Sequence, residues 1–145
     1  MEVATLCLPV RGTLVLLAEK QHKIGAGRLN GFGGKVESGE SIEGAAIREL
    51  EQEIGLRAQV LSHAAIVTCM FEAIPKWKVH VFLVHEWTGE PKSTEEMRNP
   101  QWFERQLIPY HAMMPGDRLW LPVVLRRGVI EVTITYNADA TRVKG

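Results

Sequence analysis

The chain has little cysteine. Its two thiols, Cys7 and Cys69, lie in apolar stretches and lack any spacing that suits a metal site or a redox pair. They read as two buried thiols in a reducing cytoplasm. Charge of one sign is not in excess either: 17 Lys+Arg balance 17 Asp+Glu, for a formal net charge of zero. A nonspecific DNA or RNA binder carries a basic field, so the balance argues against a nucleic-acid polymer as partner. A small anionic ligand needs only a local site and stays open. Long apolar runs are also lacking. The opening MEVATLCLPV has no basic n-region, so neither a signal peptide nor a membrane span is expected. No repeat, low-complexity tract or long linker divides the chain, and 145 residues suit one domain over 1–145.

A local absence is more informative. Residues 47–56, IRELEQEIGL, gather Glu49, Glu51 and Glu53, yet no lysine follows and the only nearby cation is Arg48. Surface helices usually pair such acids with cations one turn away. Helical residues advance by roughly 100° each. Glu49 and Glu53 therefore stack on one face with Gln52 beside them, Leu50, Ile54 and Ile47 form the inward face, and Glu51 points to solvent. Magnesium takes hard oxygen ligands, a few carboxylates plus waters and phosphates, so this acidic edge can hold such an ion. Acidic helix faces are also common as plain solvated surface.

The surrounding pattern is mixed. Residues 3–9 and 13–19 read as short strands around a Pro9–Gly12 break. Residues 20–40 hold six glycines and read as loop with at most a brief strand. Residues 41–54 read as a helix ended by Gly55. Residues 57–73 and 77–87 read as long strands joined by a turn at Ile74-Pro75-Lys76, and imperfect alternation in KVHVFLVHEW suggests a strand covered on both faces. A strand over 97–104 follows. Asp117 is placed to cap a second helix that Gly128 ends, with Trp120, Leu121, Val124 and Leu125 as its core face. Residues 129–136 form a last strand. This order predicts an α/β sandwich around a mixed sheet.

The glycine loop and the acidic helix belong to one motif. In GFGGKVESGESIEGAAIRELEQEIGL, residues 31–56, fixed positions fall at Gly34, Glu40, Arg48-Glu49-Leu50, Gln52-Glu53 and Gly55-Leu56. This closely resembles the Nudix box, the signature of hydrolases acting on nucleoside diphosphates linked to another group. One position departs, Gln52, where the box has Glu. The resemblance implies a Nudix fold, a mixed β-sheet in an α/β/α sandwich, and a Mg²⁺-dependent enzyme with Mn²⁺ as a substitute. It implies Glu49 and Glu53 as metal and catalytic residues, with Glu40 and Arg48 as an ion pair tying loop to helix. It also implies that Gly34 brings a carbonyl toward the metal and that Gln52 is a weak or water-mediated ligand.

Further stretches, GAGRLNGFGGKVESGESIE (25–43), VHVF (79–82), EEMR (95–98), QWF (101–103) and IPYHAMMPGDRLWLP (108–122), resemble the animal MutT homologues within that family. Those enzymes hydrolyse oxidised purine nucleoside triphosphates such as 8-oxo-dGTP and 2-oxo-dATP. The resemblance implies Asn30 at the base, Thr5, Lys20, Gly33 and Lys35 in the substrate pocket, and Glu96 as an outlying carboxylate of the metal site, with Glu95 as its alternative. Departures concentrate in MMPGD (113–117). Met114 replaces a Trp that stacks on the base, and Gly116 replaces one of two adjacent acids, leaving Asp117. Leu29 and Ile24 replace aromatics, so a less aromatic pocket is expected, to which Trp77 and Trp120 are the available additions. The expected partner is a small nucleotide, with no membrane, in a cytoplasmic monomer or homodimer. Competing readings are a hydrolase of ordinary nucleotides or nucleotide sugars, and a Nudix module that binds without cutting.

Overall fold

A computed structural model describes residues 1–144. Strands β1 (Glu2–Arg11) and β2 (Leu14–Lys20) turn back on each other at Gly12, whose φ of +60° suits a residue without a Cβ. Two-residue β3 (Leu29–Asn30) adds to β2, and α1 (Ile42–Ile54) follows. Strands β4 (Arg57–Phe71) and β5 (Ile74–Thr88) form a long antiparallel hairpin, and β5 lies parallel to β1. Then β6 (Met97–Glu104) pairs antiparallel with β2, α2 (Asp117–Leu125) crosses the sheet, and β7 (Ile130–Tyr136) lies parallel to β4. The sheet is mixed, as anticipated.

Both its faces are covered. Val15 and Leu17 of β2, with Val81 and Leu83 of β5, pack toward Trp120, Leu121, Val124 and Leu125 of α2. The alternate residues, Leu16, Ala18, Phe82 and Val84, pack toward Ala46, Leu50 and Ile54 of α1. Period-two side chains from single strands thus feed two cores, the physical content of an α/β/α sandwich.

Local chemistry sets the helix ends. Ser41 Oγ accepts the Gly44 N–H at 2.9 Å, capping α1. Gly55 ends it at φ +82°, its N–H on the Glu51 carbonyl. Four details differ from expectation. The β4–β5 turn is Glu72-Ala73, not Ile74–Lys76: Glu72 takes φ +55° and donates its N–H to the Tyr136 carbonyl, while Pro75 sits beside a register irregularity that spares the ladder its missing donor. Ile47 is only half-buried, because the stripe facing the sheet runs through Ala46, Leu50 and Ile54 at four-residue steps. Asp117 is not the cap of α2; Gly116 occupies that position and Asp117 is the first helical residue, buried. The helix stops at Leu125, before Gly128, since Arg127 already turns left-handed at φ +64°. Among the described residues, no helix is long and apolar enough to cross a membrane.

Leu50 is fully buried where α1 meets the sheet. Leu50→Ala is expected to cost about 2–5 kcal/mol in urea unfolding; a loss well under 1 kcal/mol would show that α1 is not anchored through this contact.

Candidate active site

The segment from Gly31 to Val36 lies against β1 as a ragged extra strand. The Thr5 N–H donates to the Gly34 carbonyl at 2.8 Å, Cys7 and Phe32 exchange both backbone bonds, and the Val36 N–H reaches the Val3 carbonyl. Such closeness demands glycine. A Cβ on Gly33 would overlap the Thr5 carbonyl, and one on Gly31 would lie 2.7 Å from the Cys7 carbonyl oxygen. A Cβ on Gly34 would lie 2.7 Å from the Glu49 carboxyl carbon. Gly34 therefore makes room for an acid of α1, and its carbonyl accepts the Thr5 N–H while keeping a second lone pair. Gly33 adds a donor: its N–H holds Glu53 Oε1 at 3.0 Å.

Arg48 organises the acids behind the loop. Its Nε and Nη2 fork onto Glu40 at 2.6 and 2.9 Å, and Nη2 also reaches the Lys35 carbonyl at 3.1 Å. Its Nη1 donates to Glu49 Oε1 at 2.7 Å and to Gln52 Oε1 at 3.2 Å. The side-chain bond from Arg48 holds Glu40 down to about 2, and Glu40 in turn raises the guanidinium. Loop and helix are thus joined by a bidentate pair. Gln52 is exposed with its amide oxygen turned to Arg48, which competes with any metal for it.

Glu53 has no such compensation. Burial pushes its carboxyl up to about 7; neighbouring Glu49 and Glu96 add to the rise, and the Gly33 N–H and Lys20 oppose it. Lys20 is lowered, chiefly by burial. Glu96 is exposed on a loop that Thr94 fastens, its Oγ1 donating to the Glu53 carbonyl at 2.8 Å and accepting the Glu96 N–H. The sequence reading missed Thr94, although a Thr two residues before Glu96 is the ordinary signal for such a turn. Among the described residues, no three acidic, His or Cys side chains converge tightly enough to hold an ion by themselves. The donor set nonetheless fits a hard divalent cation that draws remaining ligands from water and phosphate: a room-making Gly34, a Glu53 with one oxygen pinned, and a Glu49 of which only one oxygen meets Arg48.

These acids stand at one end of a cavity of about 780 Å³. Every anticipated site residue lines it except Arg48 and Glu40, which brace it from behind. Lys35 stands at its rim, its amine 3.4 Å from Glu2. Glu96 faces the cavity and Glu95 does not. Buried Thr5 lines the wall beside Gly34; farther on, Asp117 is buried, Met114 is half-buried, and Asn30 lines the wall while its Oδ1 accepts the Gly31 N–H at 2.9 Å. Burial pushes Asp117 up to about 7 against a hydrogen bond from Trp120.

This chamber is more aromatic than expected. Phe71 meets Trp77 edge-on at 5.5 Å and Tyr136 at 5.6 Å, and all three rings line the cavity. Phe71 and Tyr136 went unnoticed in the sequence, and Cys69, expected to be a buried thiol, is only half-buried, in the cavity wall. The signal was there in period two: Val67, Cys69 and Phe71 on β4 face the same way, and pairing sets Cys69 opposite Trp77 and Phe71 opposite Tyr136.

Fold, glycine loop and acid-lined cavity together define the class. The chain belongs to the Nudix family, whose domain matches residues 2–124; Nudix hydrolases use divalent metal ions and act on small-molecule nucleotides. It is 43% identical over 129 residues to the oxidized purine nucleoside triphosphate hydrolase of Danio rerio, covering 87% of this chain and 81% of that one. The mouse (Mus musculus) protein of the same name is 42% identical over 124 residues, covering 85% and 79%. The crystal structure of a mutator MutT protein from Bacillus halodurans superimposes with a TM-score of 0.84 at 25% identity, covering all of this chain and 95% of that one.

Glu53 gives a test that does not need turnover. Well below pH 4.5 its carboxyl is neutral in folded and unfolded chains alike, and at pH 4.5 the unfolded chain has only begun to feel the difference. Between about 4.5 and 7 the unfolded chain ionises first, so the folded state loses stability relative to a neutral side chain, and above about pH 7 the deficit is complete. Metal-free Glu53→Gln is expected to match the wild type near pH 4.5 and to exceed it by about 1–2 kcal/mol at pH 8, after solvent screening. Denaturation at both pH values checks this; a variant less stable at pH 8 would mean the carboxylate is already compensated.

Proposed function

We propose that this chain is a Mg²⁺-dependent nucleoside triphosphate pyrophosphohydrolase favouring oxidised purine nucleotides such as 8-oxo-dGTP, a sanitiser of the nucleotide pool. The observation that carries the reading is one continuous cavity with acids in one part and aromatic rings in another, which suits a polyphosphate joined to a base. The names of the zebrafish and mouse relatives support it. Mn²⁺ serves as a substitute ion. The working unit is one domain over 1–145, a cytoplasmic monomer or homodimer with no nucleic-acid polymer or membrane as partner.

Glu49, Glu53 and Glu96 would hold the ion, with Gly34 leaving space for Glu49. When bound, a divalent cation neutralises phosphate charge and acidifies water. Glu53, fixed through Oε1 by Gly33, keeps Oε2 for the cavity and has a proton affinity near neutrality, which suits the acceptor of a proton from attacking water. Attack falls on a phosphorus of the triphosphate, favourably the β one, releasing the nucleoside monophosphate and pyrophosphate. Lys20, beside Glu53 in the cavity, supplies positive charge toward the phosphates. Arg48 and Glu40 touch no substrate; they hold the loop and Glu49 in register. Asn30, Thr5, Met114 and Asp117 surround the base.

A second reading, a module that binds nucleotides without cutting them, is favoured by one observation: the Gln52 amide is held by Arg48 instead of adding an acid to the site.

Assayed with Mg²⁺ on oxidised and ordinary nucleoside triphosphates and nucleotide sugars, the chain is expected to release pyrophosphate from oxidised purine triphosphates. Silence on every substrate with any divalent ion removes the enzyme reading. In that assay Glu53→Gln should lower kcat at least about a hundredfold, and near-normal rates would take Glu53 out of the chemistry. Gln52→Glu should lower the Mg²⁺ concentration needed for half-maximal rate. An unchanged requirement would mean the new carboxylate pairs with Arg48 and does not serve the ion.

A further inference from the structure

The chamber contains a group for which the Nudix resemblance assigns no role. Where related sequences carry the first of two adjacent acids, this chain has Gly116, and the reason lies on β7. A Cβ on Gly116 would fall 2.5 Å from the Tyr136 hydroxyl and 2.8 Å from Ile134 Cγ2, so no side chain fits there while Tyr136 keeps its place. The Gly116 N–H instead donates to Tyr136 Oη at 3.2 Å. The Tyr136 ring is almost wholly buried and packed against Phe71, which fixes the hydroxyl in position. Tyr136 and Asp117 both border the same cavity.

A phenol oxygen that receives an N–H directs its own proton elsewhere. Burial, with Asp117 and Cys69 nearby, pushes the phenol up, so it keeps that proton throughout the neutral range. The Asp117 carboxyl is engaged by Trp120 and by the Met114 backbone, and a carboxylate with about four lone-pair sites keeps acceptor capacity beyond these two.

We propose that Tyr136 is a specificity-determining residue, its hydroxyl standing in for the missing acid, and that with Asp117 it selects a guanine-type (6-oxo-2-amino) purine edge over an adenine-type (6-amino) edge. The inference rests on the nucleotide reading above and deepens it. Two adjacent acids sharing one proton can present a donor on either side. The phenol keeps its proton, so once Asp117 is ionised the polarity of the pair is set: Tyr136 donates and Asp117 accepts. A carboxylate matches two adjoining N–H donors, the ring N1–H and the 2-amino group, while the hydroxyl proton meets the 6-carbonyl. An adenine-type edge in the same pose sets an amine against the O–H and a bare ring nitrogen against the carboxylate, and mismatched polar groups against buried Tyr136 and Asp117 are costly.

The test is equilibrium titration of the intact chain with 8-oxo-dGMP and 8-oxo-dAMP, which needs no turnover. The wild type is expected to bind the guanine-type ligand at least about tenfold tighter. Tyr136→Phe keeps the ring and should lose about tenfold for that ligand, with less than about twofold change for the other and an unaltered melting temperature. Equal wild-type affinities, binding of neither ligand, or equal weakening of both by Tyr136→Phe would overturn the proposal. Should that variant fail to fold, Tyr136→His, which keeps a ring, replaces it, with the same selective loss expected and equal weakening of both ligands overturning the proposal. Selective, Tyr136-dependent binding without hydrolysis of any triphosphate would sink the hydrolase reading and leave this one standing.

Discussion

The closeness of one glycine loop to its two neighbours governs everything else in the site. Gly31 and Gly33 let the loop press on β1, and Gly34 lets it press on Glu49 of α1. The backbone bonds to Thr5 and Cys7 hold this arrangement from one side and the Arg48 fork onto Glu40 holds it from the other. Between those clamps the Gly33 N–H can fix one oxygen of Glu53. Were the loop displaced by the width of a methyl group, the carboxylates of α1 would lose both their space and their orientation.

Charge is distributed unevenly around that loop. Arg48 satisfies Glu40 and part of Glu49, so the brace is settled in the free protein. Glu53 and Glu96 face the cavity without a cation of comparable closeness, and the raised Glu53 records the cost. A buried, uncompensated acid lowers stability, and folds keep such a group where a ligand later supplies the missing charge. At the far end the same cavity turns apolar, with Phe71, Trp77 and Tyr136 drawn from three strands. Two chemistries in one cavity are what a charged chain joined to a flat base requires.

The sequence made the box end of this site legible because its parts are local. Gly34, Glu40, Arg48, Glu49 and Glu53 lie within twenty residues, and helix periodicity alone sets Glu49 and Glu53 on one face, apart from exposed Glu51. The α/β/α layering was legible for a similar reason, since strands such as β5 carry apolar residues at both parities. What escaped was non-local. Phe71 and Tyr136 meet only because β4 and β7 pair in parallel, across more than sixty intervening residues. Asp117 offered a cap by its sequence position, yet the turn of chain before α2 gives that place to Gly116 and sends Asp117 inward. Gly116 itself looked like a lost acid; only the Tyr136 hydroxyl against it shows what fills the space.

The central claim is that the acidic edge of α1 is held ready for a divalent cation. Calorimetric titration of the free protein with Mg²⁺, repeated in buffers of different ionisation enthalpy, tests it most directly. Because Glu53 is raised to about 7, binding at pH 6 should release roughly one proton, and release should fade toward pH 9, where the carboxylate is already ionised. Proton release that is absent at pH 6, or that persists unchanged in Glu53→Gln, would contradict the account.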